Sequence, residues 1–165
     1  MSGLGLQKQR ELSAGIQADG RPLIVIPWYV ARTVSVDADR HRLFQALTVP
    51  EYMEAWISVP GTGKDQQIMA SCTPESYRIL ARNGACLLAC IGGFYRVCRR
   101  SKLVFTWKKG TTTAAGFSSL VTIRLLGDFA RTTLCLSHSG LASKAEYLWH
   151  RAFWEGSLER LRALF

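Results

Sequence analysis

The segment 144–165, KAEYLWHRAFWEGSLERLRALF, constrains the fold more than any other part of the chain. At about 100° per residue it reads as one long helix with two apolar stripes. Ala145, Leu148, Trp149, Ala152, Phe153 and Gly156 fall on one side. Tyr147, Trp154, Leu158, Leu161 and Phe165 fall nearly opposite, with Lys144, Arg151, Glu155 and Arg162 between the stripes. An ordinary surface helix buries one face. Two stripes therefore predict a helix held between two layers, or between a sheet and a partner. The first stripe is rich in small residues, which against a sheet would leave room behind them. That room is the first functional clue.

The rest of the composition bounds the answer. An apolar content of 48% and a charged content of 20% over 165 residues predict a folded domain with a real core. Residues 1–22, broken by Gly3, Gly5, Gly15 and Gly20, read as a flexible N-terminal arm, and 23–165 as one domain. The longest apolar run, 23–31, contains Pro27 and falls far short of the roughly 20 residues a membrane helix needs. No apolar leader core precedes Gly20, so a cytoplasmic protein is expected. Cys72, Cys86, Cys90, Cys98 and Cys135 are odd in number and form no CxxC pair, which points to reduced thiols and not to disulfides. The net charge is +9. Its clusters (Arg96, Arg99, Arg100 and Lys102; Lys108 and Lys109) sit at expected strand ends or turns, and no recognisable nucleic-acid module accompanies them.

Residues 30–36 alternate as a strand, and Asp37 or Asp39 can cap a short helix running to about Leu47. Pro50 opens a second short helix, on which Tyr52, Met53 and Trp56 are placed inward. Strands are predicted over 66–70, 75–82, 86–97, 102–108, 118–127 and 131–139, with Asn83-Gly84 as a hairpin turn and Gly92-Gly93 as a bulge or bend. The later strands alternate cleanly: Leu103, Phe105 and Trp107 on one face, and Leu134, Leu136 and His138 likewise. The sum is an α+β chain in which a curved antiparallel sheet of six to seven strands wraps a long C-terminal helix.

That order resembles the helix-grip fold of the START and birch-pollen-allergen superfamily, also called SRPBCC. Within it the chain is similar to the AHSA-type family, named for the activator of the heat-shock chaperone ATPase. The resemblance rests on VSVDADRHRLFQALTVPEYMEAW (34–56), KLVFTW (102–107), SSLVTIRL (118–125), TTLCLSHSGL (132–141) and HRAFWEGSLERL (150–161). It covers about residues 28–165. One departure matters: Phe153 stands where the family usually has a glycine before its tail tryptophan, so a large ring faces the cavity wall.

The resemblance implies a ligand held between sheet and helix. Trp56, Tyr77, Phe105, Trp107, His138, Trp149 and Phe153 are the candidate ligand-binding residues, with Tyr77, His138 and Glu155 as possible polar anchors. A strand-end role competes with this for His138, and a capping or surface role for His150. The three histidines lack Asp, Glu or Cys at ligand spacing, so neither a metal site nor a cofactor is expected. Gly61-Thr62-Gly63-Lys64 is not a phosphate loop, because Ser58 and Asp65 replace the glycine and hydroxyl residue that motif needs. No catalytic residue stands out. The leading expectation is a binding protein for a small hydrophobic ligand. A chaperone-associated or other protein-interaction module, with a possible homodimer, and a polyketide cyclase/dehydratase-like enzyme are the alternatives.

Overall fold

The computed structural model describes residues 28–63, 65–83, 86–98, 100–110 and 119–165. The expected arm, Pro27 and the Gly84 half of the Asn83-Gly84 turn lie outside the described residues. The chain runs β1 (Val30–Val36), α1 (Arg40–Thr48), α2 (Pro50–Trp56), β2 (Gln67–Cys72), β3 (Ser76–Asn83), β4 (Cys86–Cys98), β5 (Lys102–Lys109), β6 (Ser119–Gly127), β7 (Thr132–Ser139) and α3 (Lys144–Arg162). All seven strands form one curled antiparallel sheet in the order β1-β7-β6-β5-β4-β3-β2.

The local causes match the sequence. Asp39 caps α1 by accepting from the His41 and Arg42 amides, and Pro50 starts α2. The Trp56 indole donates to the Ala46 carbonyl at 2.7 Å and so ties α2 to α1. Because β1 and β2 are the two sheet edges, the α1–α2 segment carries the chain from one edge to the other. There α2 packs on β2 and on α3, while α3 packs on β1. The concave face is thus closed by α3 on one side and the two short helices on the other.

Two expectations need correction. Tyr52 does not pack inward; it is 53% exposed, while Met53 and Trp56 alone from that helix enter the core. More important, α3 has one buried face and not two. His150, Phe153, Trp154, Ser157, Leu158 and Leu161 are buried, at i, i+3, i+4, i+7, i+8 and i+11. Ala145, Leu148 and Ala152, assigned to a sheet-facing small stripe, are exposed. The buried face runs along the seam between the two apparent stripes. His150 and Ser157 hold its centre because each has a polar partner inside: Ser157 Oγ accepts from the Ser58 amide at 3.0 Å, and His150 Nε2 accepts from the Trp107 indole. Trp154, Leu158 and Leu161 are therefore part of this chain's own core and are not open to a partner.

Gly92 and Gly93 interrupt the β4–β5 pairing, which runs from Ile91↔Lys108 straight to Phe94↔Phe105. The register shift between β4 and β5 lies further on, between Phe94 and Arg96. At Gly92 a neighbour comes through instead: the Tyr77 hydroxyl donates to the Thr106 carbonyl at 2.7 Å. A Cβ on Gly92 would lie 1.8 Å from that carbonyl oxygen and 2.6 Å from the Tyr77 hydroxyl.

Candidate functional site

Rings fill the space between α3 and the middle strands. Trp107 from β5 is 5.2 Å from Phe153 and 5.5 Å from Trp154 of α3, centroid to centroid. Tyr77 of β3 sits 5.3 Å from Phe105 and 5.9 Å from Trp107. Trp149 stacks on Phe153 at 5.4 Å and 15°, with the Lys109 ammonium 4.4 Å from its ring. What remains is a void of about 20 Å³, close to the volume of one water. Trp56, Tyr77, Phe105, Trp107 and Phe153 line it, together with Met53, Phe94 and Trp154. Five of the seven candidate residues thus converge on one point.

Two candidates stand elsewhere. Trp149 lies behind Phe153, half-buried, and does not reach the void. His138 sits one layer deeper, fully buried behind Trp154 and Trp107. Of the polar anchors, Glu155 faces outward and pairs with Arg32 and Arg151. The Tyr77 hydroxyl is spent on Thr106, and burial pushes its pKa well above the ordinary 10.0.

Sequence reasoning missed a buried histidine pair. His138 on β7 and His150 on α3 meet at 4.7 Å between ring centroids, nearly perpendicular. Each is held by a tryptophan. The Trp154 indole N–H donates to His138 Nδ1 at 3.0 Å, and the Trp107 indole N–H donates to His150 Nε2 at 3.1 Å. An indole nitrogen only donates, so both of those imidazole nitrogens carry a lone pair. The neutral tautomers follow. His138 Nε2–H donates to Ser119 Oγ at 2.6 Å, and Ser119 passes its own proton toward the Trp107 carbonyl at 3.0 Å. His150 Nδ1–H donates to the Glu146 carbonyl at 2.7 Å. Every ring nitrogen is satisfied, and these bonds tie α3 to β5 and β7, with β6 joined through Ser119.

The wiring decides the chemistry. Burial first, and His150 second, push His138 down from 6.5 to about 3. Burial also lowers His150, against the opposing pull of the Glu146 carbonyl and carboxylate. Ser119 and His138 sit at nucleophile–base distance, but His138 Nε2 already carries the proton. A tryptophan donor stands where a catalytic pair needs an acidic acceptor. Ser119 is therefore not activated. The signal in the sequence was indirect: His138 falls on the inward parity of β7, while nothing local marks His150 as buried. No group of His, Cys, Asp or Glu able to hold a metal occurs among the described residues. Cys72, Cys90, Cys98 and Cys135 are free.

A curled antiparallel sheet closed over a long C-terminal helix, with two short helices after the first strand, is the helix-grip arrangement. The chain belongs to the family described as Activator of Hsp90 ATPase homolog 1-like protein, which matches residues 37–165. Solved structures share the fold. A protein from Chromobacterium violaceum aligns with a TM-score of 0.69 at 16% identity, covering 84% of this chain and 97% of that one. An AHSA1 protein from Silicibacter pomeroyi gives 0.69 at 19% identity, covering 82% and 96%. DynU16, a protein in the dynemicin biosynthetic locus, gives 0.63 at 23% identity and covers 82% of this chain. The chain spans about half the length of DynU16, at 46%. At these identities the likeness concerns the fold alone. No curated protein sequence matches the chain.

Proposed function

We propose that this chain binds a small apolar molecule between the inner face of the sheet and α3, with Phe153 as the ring that gives way to it. The observation that carries this reading is the ring-lined void: aromatic side chains from β3, β5, α2 and α3 converge on about 20 Å³ that no charged side chain lines. A ligand pocket is apolar with few polar groups. In this form Phe153, 1% exposed, occupies the space a ligand would take. Binding then selects a minor form in which that ring has turned aside. Covering about 200 Å² of ligand surface contributes about 5 kcal/mol.

Binding is favoured over turnover because neither histidine offers a titratable nitrogen to the interior. A cyclase or dehydratase would need such a group facing an open cavity. The interaction-module reading keeps only the basic strand ends as its surface, since Trp154, Leu158 and Leu161 of the second stripe are buried in this chain's own core.

The test is a thermal-shift panel of fatty acids, single-ring and fused-ring aromatics on the wild type and on Phe153→Ala. Both proteins should be stabilised by the same compounds, the variant more strongly. Stabilisation of the variant alone would mean that Phe153 seals the interior, and the binding reading would fail.

A further inference from the structure

The outer face of the sheet carries cations and no acids. No Asp or Glu occurs in any of the seven strands. Every Asp and Glu among the described residues lies on a helix or in a loop. Of the strand cations, Arg32 turns inward to Glu155, and Lys109 pairs with Glu146. The other six, Arg78, Arg82, Arg96, Lys102, Lys108 and Arg124, share the outer face. Cross-strand partners in an antiparallel sheet project to the same side, which fixes their placement.

One row runs Thr33, Cys135, Arg124, Lys102, Cys98, so Lys102 and Arg124 are direct neighbours. The next row runs Ala31, Ser137, Thr122, Val104, Arg96, which sets Arg96 diagonally beside Lys102. A third places Lys108, Ile91, Arg78 and Ser71 in line. Arg78, Arg82, Arg96 and Arg124 are exposed and Lys102 is half-buried. Among the described residues none of these five forms an ion pair. Beside Lys102 and Arg124 the sheet opens a depression of about 520 Å³, floored by small side chains such as Ala31, Thr33, Thr122 and Ser137.

We infer that this face docks on an anionic lipid bilayer, with a headgroup phosphate in the depression between Lys102 and Arg124. Charge complementarity favours a polyanion, because these neighbouring like charges have no acidic partner among the described residues. Two features favour a bilayer over a nucleic acid. Leu120, Leu126 and Met69 stand on the same face at 39%, 54% and 59% exposure, and such aliphatic tips suit a headgroup–acyl boundary. The ring clusters around Trp107 and Tyr77, in contrast, lie on the inner side, away from these cations, where they offer no stack for a base.

The test is sedimentation of the full chain with phosphatidylcholine vesicles carrying no anionic lipid or about a third phosphatidylserine, a basic cluster being a reader of such surfaces. Binding is expected only to the anionic vesicles and should vanish at high salt. Neutralising one central cation should cost about fivefold in partition, and Lys102→Gln with Arg124→Gln about 25-fold. The paired control is Arg40→Gln with Arg162→Gln, on exposed sites of α1 and α3 with the same change in charge, and it should cost less than twofold in the same assay. Both double variants should keep the wild-type melting temperature. Three results would overturn the inference: no partition to anionic vesicles at low salt, equal losses in the two double variants, or displacement from vesicles by duplex DNA at equal phosphate concentration.

Discussion

Acid should loosen this protein chiefly through His138. His138 is fully buried, and its pKa is pushed from 6.5 down to about 3 by burial and then by His150. In the unfolded chain the same imidazole titrates at its ordinary value. Between those two values the unfolded chain holds a proton that the folded chain refuses. Stability from this group is therefore complete above about pH 6.5 and is lost as pH falls through that value toward 3. At about 1.4 kcal/mol per unit, the step from pH 7 to pH 5 removes about 2 kcal/mol. His150, also shifted down by burial, acts in the same direction. Urea unfolding at pH 7 and pH 5, followed by tryptophan fluorescence, reads the effect. His138→Gln keeps a polar side chain but removes the titration. It should be less stable than wild type at pH 7 and should lose about 2 kcal/mol of the pH dependence. A wild-type stability that stays flat between pH 7 and pH 5, or a variant that keeps the full slope, would refute the picture of an indole-locked imidazole.

Phe153→Ala should destabilise by about 3–5 kcal/mol, read by chemical denaturation, because it removes a buried ring beside an existing void. Gly92→Ala should cost about 2 kcal/mol or more, because its Cβ meets the Thr106 carbonyl at 1.8 Å. Adding Tyr77→Phe should not rescue it, since that nearest atom is backbone. The Cys90 thiol, pushed up to about 12 by burial, should resist iodoacetamide at pH 8 while half-buried Cys98 and Cys135 react, as mass spectrometry of the folded protein would show.

The fold was legible because it is written in short-range signals. Asp39, Pro50 and the two-residue alternation of β5, β6 and β7 each fix a local structure without help from distant residues. The face of α3 was harder. Ranking residues by polarity put His150 on a solvated seam and Ala145 and Ala152 against the sheet, the reverse of what occurs. A buried imidazole is tolerable only where distant donors meet it, here Trp107 from 43 residues away. Pairing of that kind leaves no trace in spacing. Tyr77 and Glu155 illustrate the same limit: one hydroxyl is consumed across a glycine gap, and one carboxylate turns to Arg32 across 123 residues.

The central claim is that a ligand enters where Phe153 now stands. Indole N–H resonances report on this directly, since Trp107 and Trp154 line the void and Trp28 does not. Titration of the wild-type protein with a fused-ring aromatic should shift the Trp107 and Trp154 signals saturably and leave that of Trp28 in place. If those two signals stay fixed, or all the indoles drift together without saturating, no ligand site lies between the sheet and α3.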